Sequence, residues 1–339
     1  MEGRFTMLSR RLLLAVLLFG AFAAEASLTG GKVVFTSNRS GKTQLYVKVP
    51  GSAAPPVKIT SGFHDAQHPH WSPNGKYIAY ITRDVITGGS SAIDVLYIID
   101  ESGALMSTVP MVKFPFATHL GYPQWAEDGQ RIVLTYFLAN GQRGLGLITF
   151  PAPYQFGNPP ATKILIAPGP AMNPGEAIFS RDGLSIYFSG DNIGPLAELF
   201  RMPAGGGSAS HVLGNGKPVR RFFAPCFSPD GLRLMYNSEL WKEDATYLDE
   251  EILELDLPAG SIARITKEPG NQYGCYAAHG AGEFVMQSSA KPSAPYALFL
   301  QEGTTRVPLD VASVPNRKDG SPDWWKPPCA CVAPPPSIA

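Results

Sequence analysis

The chain has 339 residues, 44% hydrophobic and 17% charged, with 28 basic residues balancing 28 acidic ones. That apolar share is enough for a large core and excludes wholesale disorder. A net charge of zero without a basic cluster excludes the concentrated phosphate neutralisation that nucleic-acid binding needs. Glycine and proline, 35 and 32 residues, point to many turns, and four cysteines are too few for a disulfide-built miniprotein.

At the N-terminus, Arg4, Arg10 and Arg11 precede an apolar run from Leu12 to Phe22 and the small-residue site Ala24-Glu25-Ala26. This is the pattern of a cleaved secretory signal over residues 1–26. The run is far short of the roughly 20 apolar residues that cross a bilayer. The expectation is an exported protein, periplasmic or extracellular, with no transmembrane anchor.

The rest of the chain is organised by a repeat. HPHWSPNGKYIAYIT at 68–82 matches YPQWAEDGQRIVLTY at 122–136, and weaker copies follow as EAIFSRDGLSIYFSG at 176–190 and APCFSPDGLRLMYNS at 224–238. A degraded CYAAHGAGEFVMQSS stands at 275–289 and a truncated SPDWW at 321–325. The anchors Trp71, Trp125, Phe179, Phe227, Ala278 and Trp324 lie 46 to 54 residues apart, and a period of about 50 is that of propeller blades. Each copy reads as a short strand ending in an aromatic, a turn of the Pro-Asn/Asp-Gly kind, and an alternating strand. A second alternating pair follows, as in Thr43–Val47 with Val57–Thr60 and Glu251–Leu255 with Ala263–Thr266, so four strands are expected per unit.

The ends of the chain complement each other. The strands around Lys32–Thr36, Gln44–Val47 and Val57–Thr60 lack a preceding aromatic strand, and Ser321–Trp325 lacks the three that should follow. The prediction is an all-β, six-bladed propeller over 27–326, closed by a composite blade from both termini, with a Pro-rich tail at 327–339.

FTSNRSGKTQLYVKVPGSAAPPVKIT followed by HPHWSPNGKYIAY resembles the repeat of TolB-type six-bladed propellers, and the likeness spans residues 32–325. It resembles the propeller alone, without the α/β domain that precedes it in TolB. The resemblance implies an exported binding platform, TolB using its propeller to engage a peptidoglycan-associated lipoprotein. That partner does not carry over on a structural repeat.

Neither a G-x-S-x-G elbow, nor H-E-x-x-H, nor a P-loop, nor a G-x-G-x-x-G after a strand occurs in the sequence, and no cofactor is expected. His64, His68 and His70, half of the six histidines, fall within seven residues at the start of an inner strand. His68 and His70, two apart, are expected on one face. With Tyr122, Gln124, Glu176 and Asp323 at related places in other blades they would form a polar, partly aromatic ring at the channel mouth, suited to a peptide or sugar. A turn or channel-lip role for the histidines weighs more than metal binding, since His-Pro matches Tyr122-Pro123 in the next copy. Cys226 and Cys275, two positions out of line on neighbouring inner strands, could form a disulfide, with two buried thiols as the alternative. The acidic stretch Glu243–Asp256 lacks calcium-loop spacing and reads as a solvated loop running into an outer strand. The reading is a monomeric scaffold that binds another envelope or extracellular protein at the channel mouth; the alternative is a hydrolase or lyase acting on saccharides or peptides there.

Overall fold

The repeat's turns are held by short polar side chains. The Ser72 hydroxyl donates to Asn74 Oδ1 at 2.8 Å and accepts the Tyr77 N–H at 3.0 Å. Ser180 with Asp182, and Ser228 with Asp230, repeat the arrangement. The glycine that closes each turn is left-handed, φ 66° at Gly75 and 71° at Gly231, where a side chain would be strained.

The structure is a computed structural model and describes residues 30–85, 91–169, 172–191, 197–213, 223–241, 247–267, 271–277, 283–289, 297–302, 305–309 and 319–326. The expected signal segment 1–26 and tail 327–339 lie outside them. The chain opens with β1 (Lys32–Ser40), β2 (Lys42–Lys48) and β3 (Val57–Lys58). Blade 1 is β4 (Gln67–Trp71), β5 (Tyr77–Asp84), β6 (Ile93–Asp100) and β7 (Leu105–Pro110). Blade 2 is β8 (Ala117–Trp125), β9 (Arg131–Leu138), β10 (Arg143–Thr149) and β11 (Ala161–Ile166). Blade 3 is β12 (Asn173–Phe179), β13 (Ser185–Asp191), β14 (Ala197–Pro203) and β15 (Ser210–Leu213). Blade 4 is β16 (Phe223–Phe227), β17 (Arg233–Trp241), β18 (Tyr247–Asp256) and β19 (Ile262–Arg264). Blade 5 is β20 (Asn271–Ala277), β21 (Glu283–Ser289), β22 (Ala297–Glu302) and β23 (Thr305–Pro308). Finally β24 (Asp319–Trp325) pairs antiparallel with β1, placing Trp324 opposite Val33 and Asp323 opposite Val34. The order β24-β1-β2-β3 is the composite blade, and the fold is an all-β propeller of six four-stranded sheets.

Each seam between blades has its own apolar core, and the aromatic anchors fill them. Trp71 packs with Val34, Leu45 and Ile78 between the composite blade and blade 1. Trp125 packs with Leu96, Ile98 and Phe150 between blades 1 and 2, and Phe179 and Phe227 serve the next two seams. Cys226, Met235, Phe284 and Met286 fill the seam between blades 4 and 5. The ring closes where Trp324 meets Val33, Val285 and Leu300. Thr36 Oγ1 donates to Gly320 O at 2.8 Å and Trp324 Nε1 to Gly30 O at 3.2 Å, adding polar ties to the closure.

Two expectations are corrected. In blade 5 the register puts Ala277 opposite Phe284, as Trp71 is opposite Ile78, so Ala277 rather than Ala278 holds the anchor position; residues 278–282 lie outside those described. Cys226 therefore corresponds to Tyr276, and Cys275 is one position out of line with it rather than two. Cys226 is disulfide-bonded, and β20, which carries Cys275, is the next inner strand around the ring. Of the acidic stretch, residues 242–246 lie outside those described, and the expected strand starts earlier than Glu251, with β18 running from Tyr247 and paired with β17 on one edge and β19 on the other. Glu251 on it is fully buried, bonded to Arg264 and Thr266, because an inward position of a central strand demands a satisfied charge.

Trp324→Ala removes the side chain that closes the ring. Loss of about 3–5 kcal/mol of unfolding free energy is expected in urea titration, with Trp324→Phe retaining most of it. Equal stability of the Ala variant and wild type would contradict the seam assignment.

Candidate binding site at the channel mouth

The inner strands share a bulge just before the anchor. The ladder slips between Gln67 and His70 in β4, Gly121 and Gln124 in β8, Phe223 and Cys226 in β16, and Tyr273 and Tyr276 in β20. The residue inside the slip is left-handed: φ is 51° at His68, 53° at Tyr122, 44° at Ala224, 77° at Gly274 and, in β24, 42° at Ser321. In the four non-glycine cases proline follows (Pro69, Pro123, Pro225, Pro322). Proline has no N–H to offer the ladder, so the bulge falls where pairing is already interrupted. In β12 the slip comes earlier relative to the anchor, between Pro174 and Ala177.

The bulge re-aims the side chains. His68 and His70 do not form a pair on one face, because the left-handed residue breaks the alternation. The His68 ring meets Tyr122, with centroids 4.3 Å apart. His70 instead turns toward the composite blade, its Nε2 lying 3.9 Å from Asp323 Oδ2, while its Nδ1 is buried without a hydrogen-bond partner.

His68, Tyr122 and Glu176, from blades 1, 2 and 3, form a continuous half-buried group. Burial lowers the His68 pKa to about 4, so the ring is neutral at pH 7. Burial, with the Glu176 carboxylate adding to it and Arg143 opposing it, pushes Tyr122 up to about 12. Glu176 is pushed up to about 7 by burial, against the Ala224 N–H that donates to its Oε2 at 2.7 Å and the charge of Arg143. Arg143, at the start of β10, is fixed by Asn173: its N–H donates to Asn173 Oδ1 at 2.8 Å and Nη2 to Asn173 O at 3.2 Å. Sequence reasoning missed Arg143, which belongs to no motif and reaches the group only through the fold.

The other residues singled out from sequence are dispersed. Asp323 is buried, and its Oδ2 accepts the Trp71 N–H at 2.6 Å. Gln124 is half-buried on β8. His64 is exposed and lies apart, lining a cavity of about 270 Å³ between the composite blade and blade 1 with Gln44, Phe63, Tyr80, Asp84 and Tyr97. Among the described residues no group of three or more His, Cys, Asp or Glu is placed to hold a metal ion. None of the described helices is long and apolar enough to cross a membrane.

No protein-family model and no curated protein matches the sequence. Among solved structures, TolB from Acinetobacter baumannii superposes with a TM-score of 0.64 at 16% identity, covering 92% of this chain and 71% of that one. A TolB-assigned structure from Agrobacterium tumefaciens gives 0.56 at 17% identity over 84% and 90% of the two chains. Oligogalacturonate lyase in complex with manganese gives 0.53 at 14% identity, over 82% and 73%. These likenesses define the class: a six-bladed β-propeller with the fold of the TolB structures.

The opposed shifts of His68 and Glu176 make a pH prediction. Glu176, raised in the folded state, contributes stability below its ordinary value near 4.5 that is lost as pH rises through 7. His68, lowered, contributes stability above 6.5 that is lost as pH falls through 4. In the wild type the two slopes oppose each other between these limits. Melting curves should therefore show, relative to wild type, Glu176→Gln gaining stability as pH rises from 4.5 to 7 and His68→Gln losing it as pH rises from 4 to 6.5. Parallel profiles for all three proteins would contradict the assigned shifts.

Proposed function

We propose that this propeller is an exported, monomeric scaffold that docks a protein of the envelope or extracellular space at its channel mouth. The carrying observation is a pair of bare aromatics: Phe63 is 94% exposed and Phe116 is 88% exposed. They lie on the connections leading into inner strands β4 and β8, and so rim the same end of the propeller. Phe116 is also left-handed, φ 60°, an uncommon conformation for a bulky residue. Strained backbone of this kind clusters at binding and switch regions, where the surrounding structure holds it in place. The TolB structures supply the fold precedent.

A second reading draws on Glu176, whose carboxyl titrates near 7 beside Tyr122 and Arg143 and so has the range of a general acid or base. It would make the protein a hydrolase or lyase acting on saccharides or peptides in the channel. Puromycin hydrolase and oligogalacturonate lyase share the propeller fold, although this chain covers only 42% of the former. Turnover that Glu176→Gln removes without loss of stability would favour this reading.

The docking reading is tested by using the chain from residue 27 as bait against an envelope or secreted extract, with mass spectrometric readout. A near-stoichiometric partner is expected for wild type. Phe63→Ser combined with Phe116→Ser should cut capture at least tenfold, about 1.4 kcal/mol, at unchanged melting temperature. Undiminished capture by the double variant would place docking elsewhere.

A further inference from the structure

The cavity beside the channel mouth has a chemistry of its own. Its 270 Å³ falls below the roughly 300–1,000 Å³ of pockets that take whole drug-sized ligands, so it matches a single side chain. Phe63 stands at its rim, and its walls include Tyr80 and Tyr97, whose rings meet edge to face at 5.7 Å and 71°. Tyr97 donates its hydroxyl to Asp84, and Asp84 Oδ1 accepts the Val85 N–H at 2.8 Å.

The polar groups are not equally available. Gln44 is occupied, its Nε2 donating to Gly62 O at 3.2 Å and His64 O at 3.1 Å, and its Oε1 accepting the Thr60 hydroxyl at 2.8 Å. Arg83, the cation among the lining residues, is drawn toward β6: Nη2 donates to Ala92 O at 2.8 Å and Nε lies 3.7 Å from Asp94 Oδ1. Asp84 therefore carries a negative charge that the hydroxyl of Tyr97 and one backbone N–H satisfy only by hydrogen bonding. A carboxylate held only by a neutral hydroxyl and one backbone N–H, in a cavity walled by aromatic rings, attracts a cation by charge and offers its alkyl stem an apolar wall. An anionic ligand would meet that same carboxylate.

We infer that this cavity, formed by Phe63, Tyr80, Tyr97 and Asp84, receives a basic side chain, arginine or lysine, from a docked protein. The inference rests on the docking reading, whose exposed Phe63 is also the rim of the cavity. It adds the chemistry of recognition: the aromatic surface gives contact area at the mouth, and the cavity selects a cation within the partner's contacting segment.

The probe is N-acetyl-arginine N-methylamide, titrated into the chain from residue 27 and followed by amide chemical shifts. Its neutral citrulline counterpart, nearly identical in shape, serves as control. Saturable binding with shifts centred on residues 80–85 is expected, the citrulline analogue binding at least tenfold more weakly. Asp84→Asn, which keeps an acceptor for Tyr97, should weaken the arginine probe at least tenfold, and Phe63→Ala, a change at a fully exposed position, several-fold. Equal binding of the two probes, unweakened binding by Asp84→Asn, or no binding at 50 mM would overturn the inference. Partner capture separates the two claims. A partner lost with Phe116→Ser but held equally by Asp84→Asn overturns the cavity inference and leaves docking intact. Saturable arginine binding with no captured partner upholds the cavity's chemistry and overturns the docking reading.

Discussion

The constraint on which the structure depends is that no blade can bury both of its faces alone. A four-stranded sheet has two faces, and here each is covered by the neighbouring blade, with one apolar core per seam. An open ring would leave two sheets half bare. Joining β24 to β1 removes that exposure by making a single blade from the two ends of the described chain, with Trp324 as the wedge between this blade and blade 5. Five of the six anchors are aromatic for a reason of area: a large flat side chain at the inner strand's end reaches across a seam that a smaller residue would leave underfilled, blade 5 with Ala277 being the exception.

The same geometry creates the channel mouth. Bulges in the inner strands interrupt the ladder, and the N–H groups freed there or nearby are taken up by the blade before. Asp323 accepts from Trp71, Asp94 from Leu120, Glu176 from Ala224, and Asn237 from Gly274. Buried N–H groups need such partners, so the acidic and amide side chains around the channel serve first as ties between blades. Asp323 shows how this bears on function: its charge is engaged with the backbone of blade 1, and what it offers a ligand is correspondingly reduced. Glu176 has the same tie but also sits among Tyr122, His68 and Arg143, where burial holds its proton to near neutral pH. The channel is thus a stabilising network that also presents a titratable group.

Much of the architecture could be read from residues. The Asn or Asp and the following glycine of the turns in blades 1 to 4 have a mechanical role that spacing alone reveals, and the incomplete sheets at the two ends imply their union. The bulge was hidden. A His-Pro-His run in a strand suggests two side chains on one face, and only the slip in register shows that His68 belongs with Tyr122 and His70 with Asp323. Arg143 was illegible for another reason: it reaches Glu176 across a seam, and sequence order says nothing of which polar residues face each other there. In the acidic stretch the strand at Glu251–Leu255 was legible but the burial of Glu251, with Arg264 as its counter-ion, was not, because a charge in sequence suggests exposure. Phe63 and Phe116 belong to no repeat motif, and only the structure shows how exposed they are.

The central claim, that the ring is closed by β24 as an integral strand, is tested most directly by native-state hydrogen exchange. If β24 is structural, the amides in its ladder with β1 open only with free energies close to that of global unfolding, together with the inner strands of the other blades. Exchange of the β24 amides at free energies near zero, as at a fraying terminus, while the other inner strands stay protected, would contradict the closed ring.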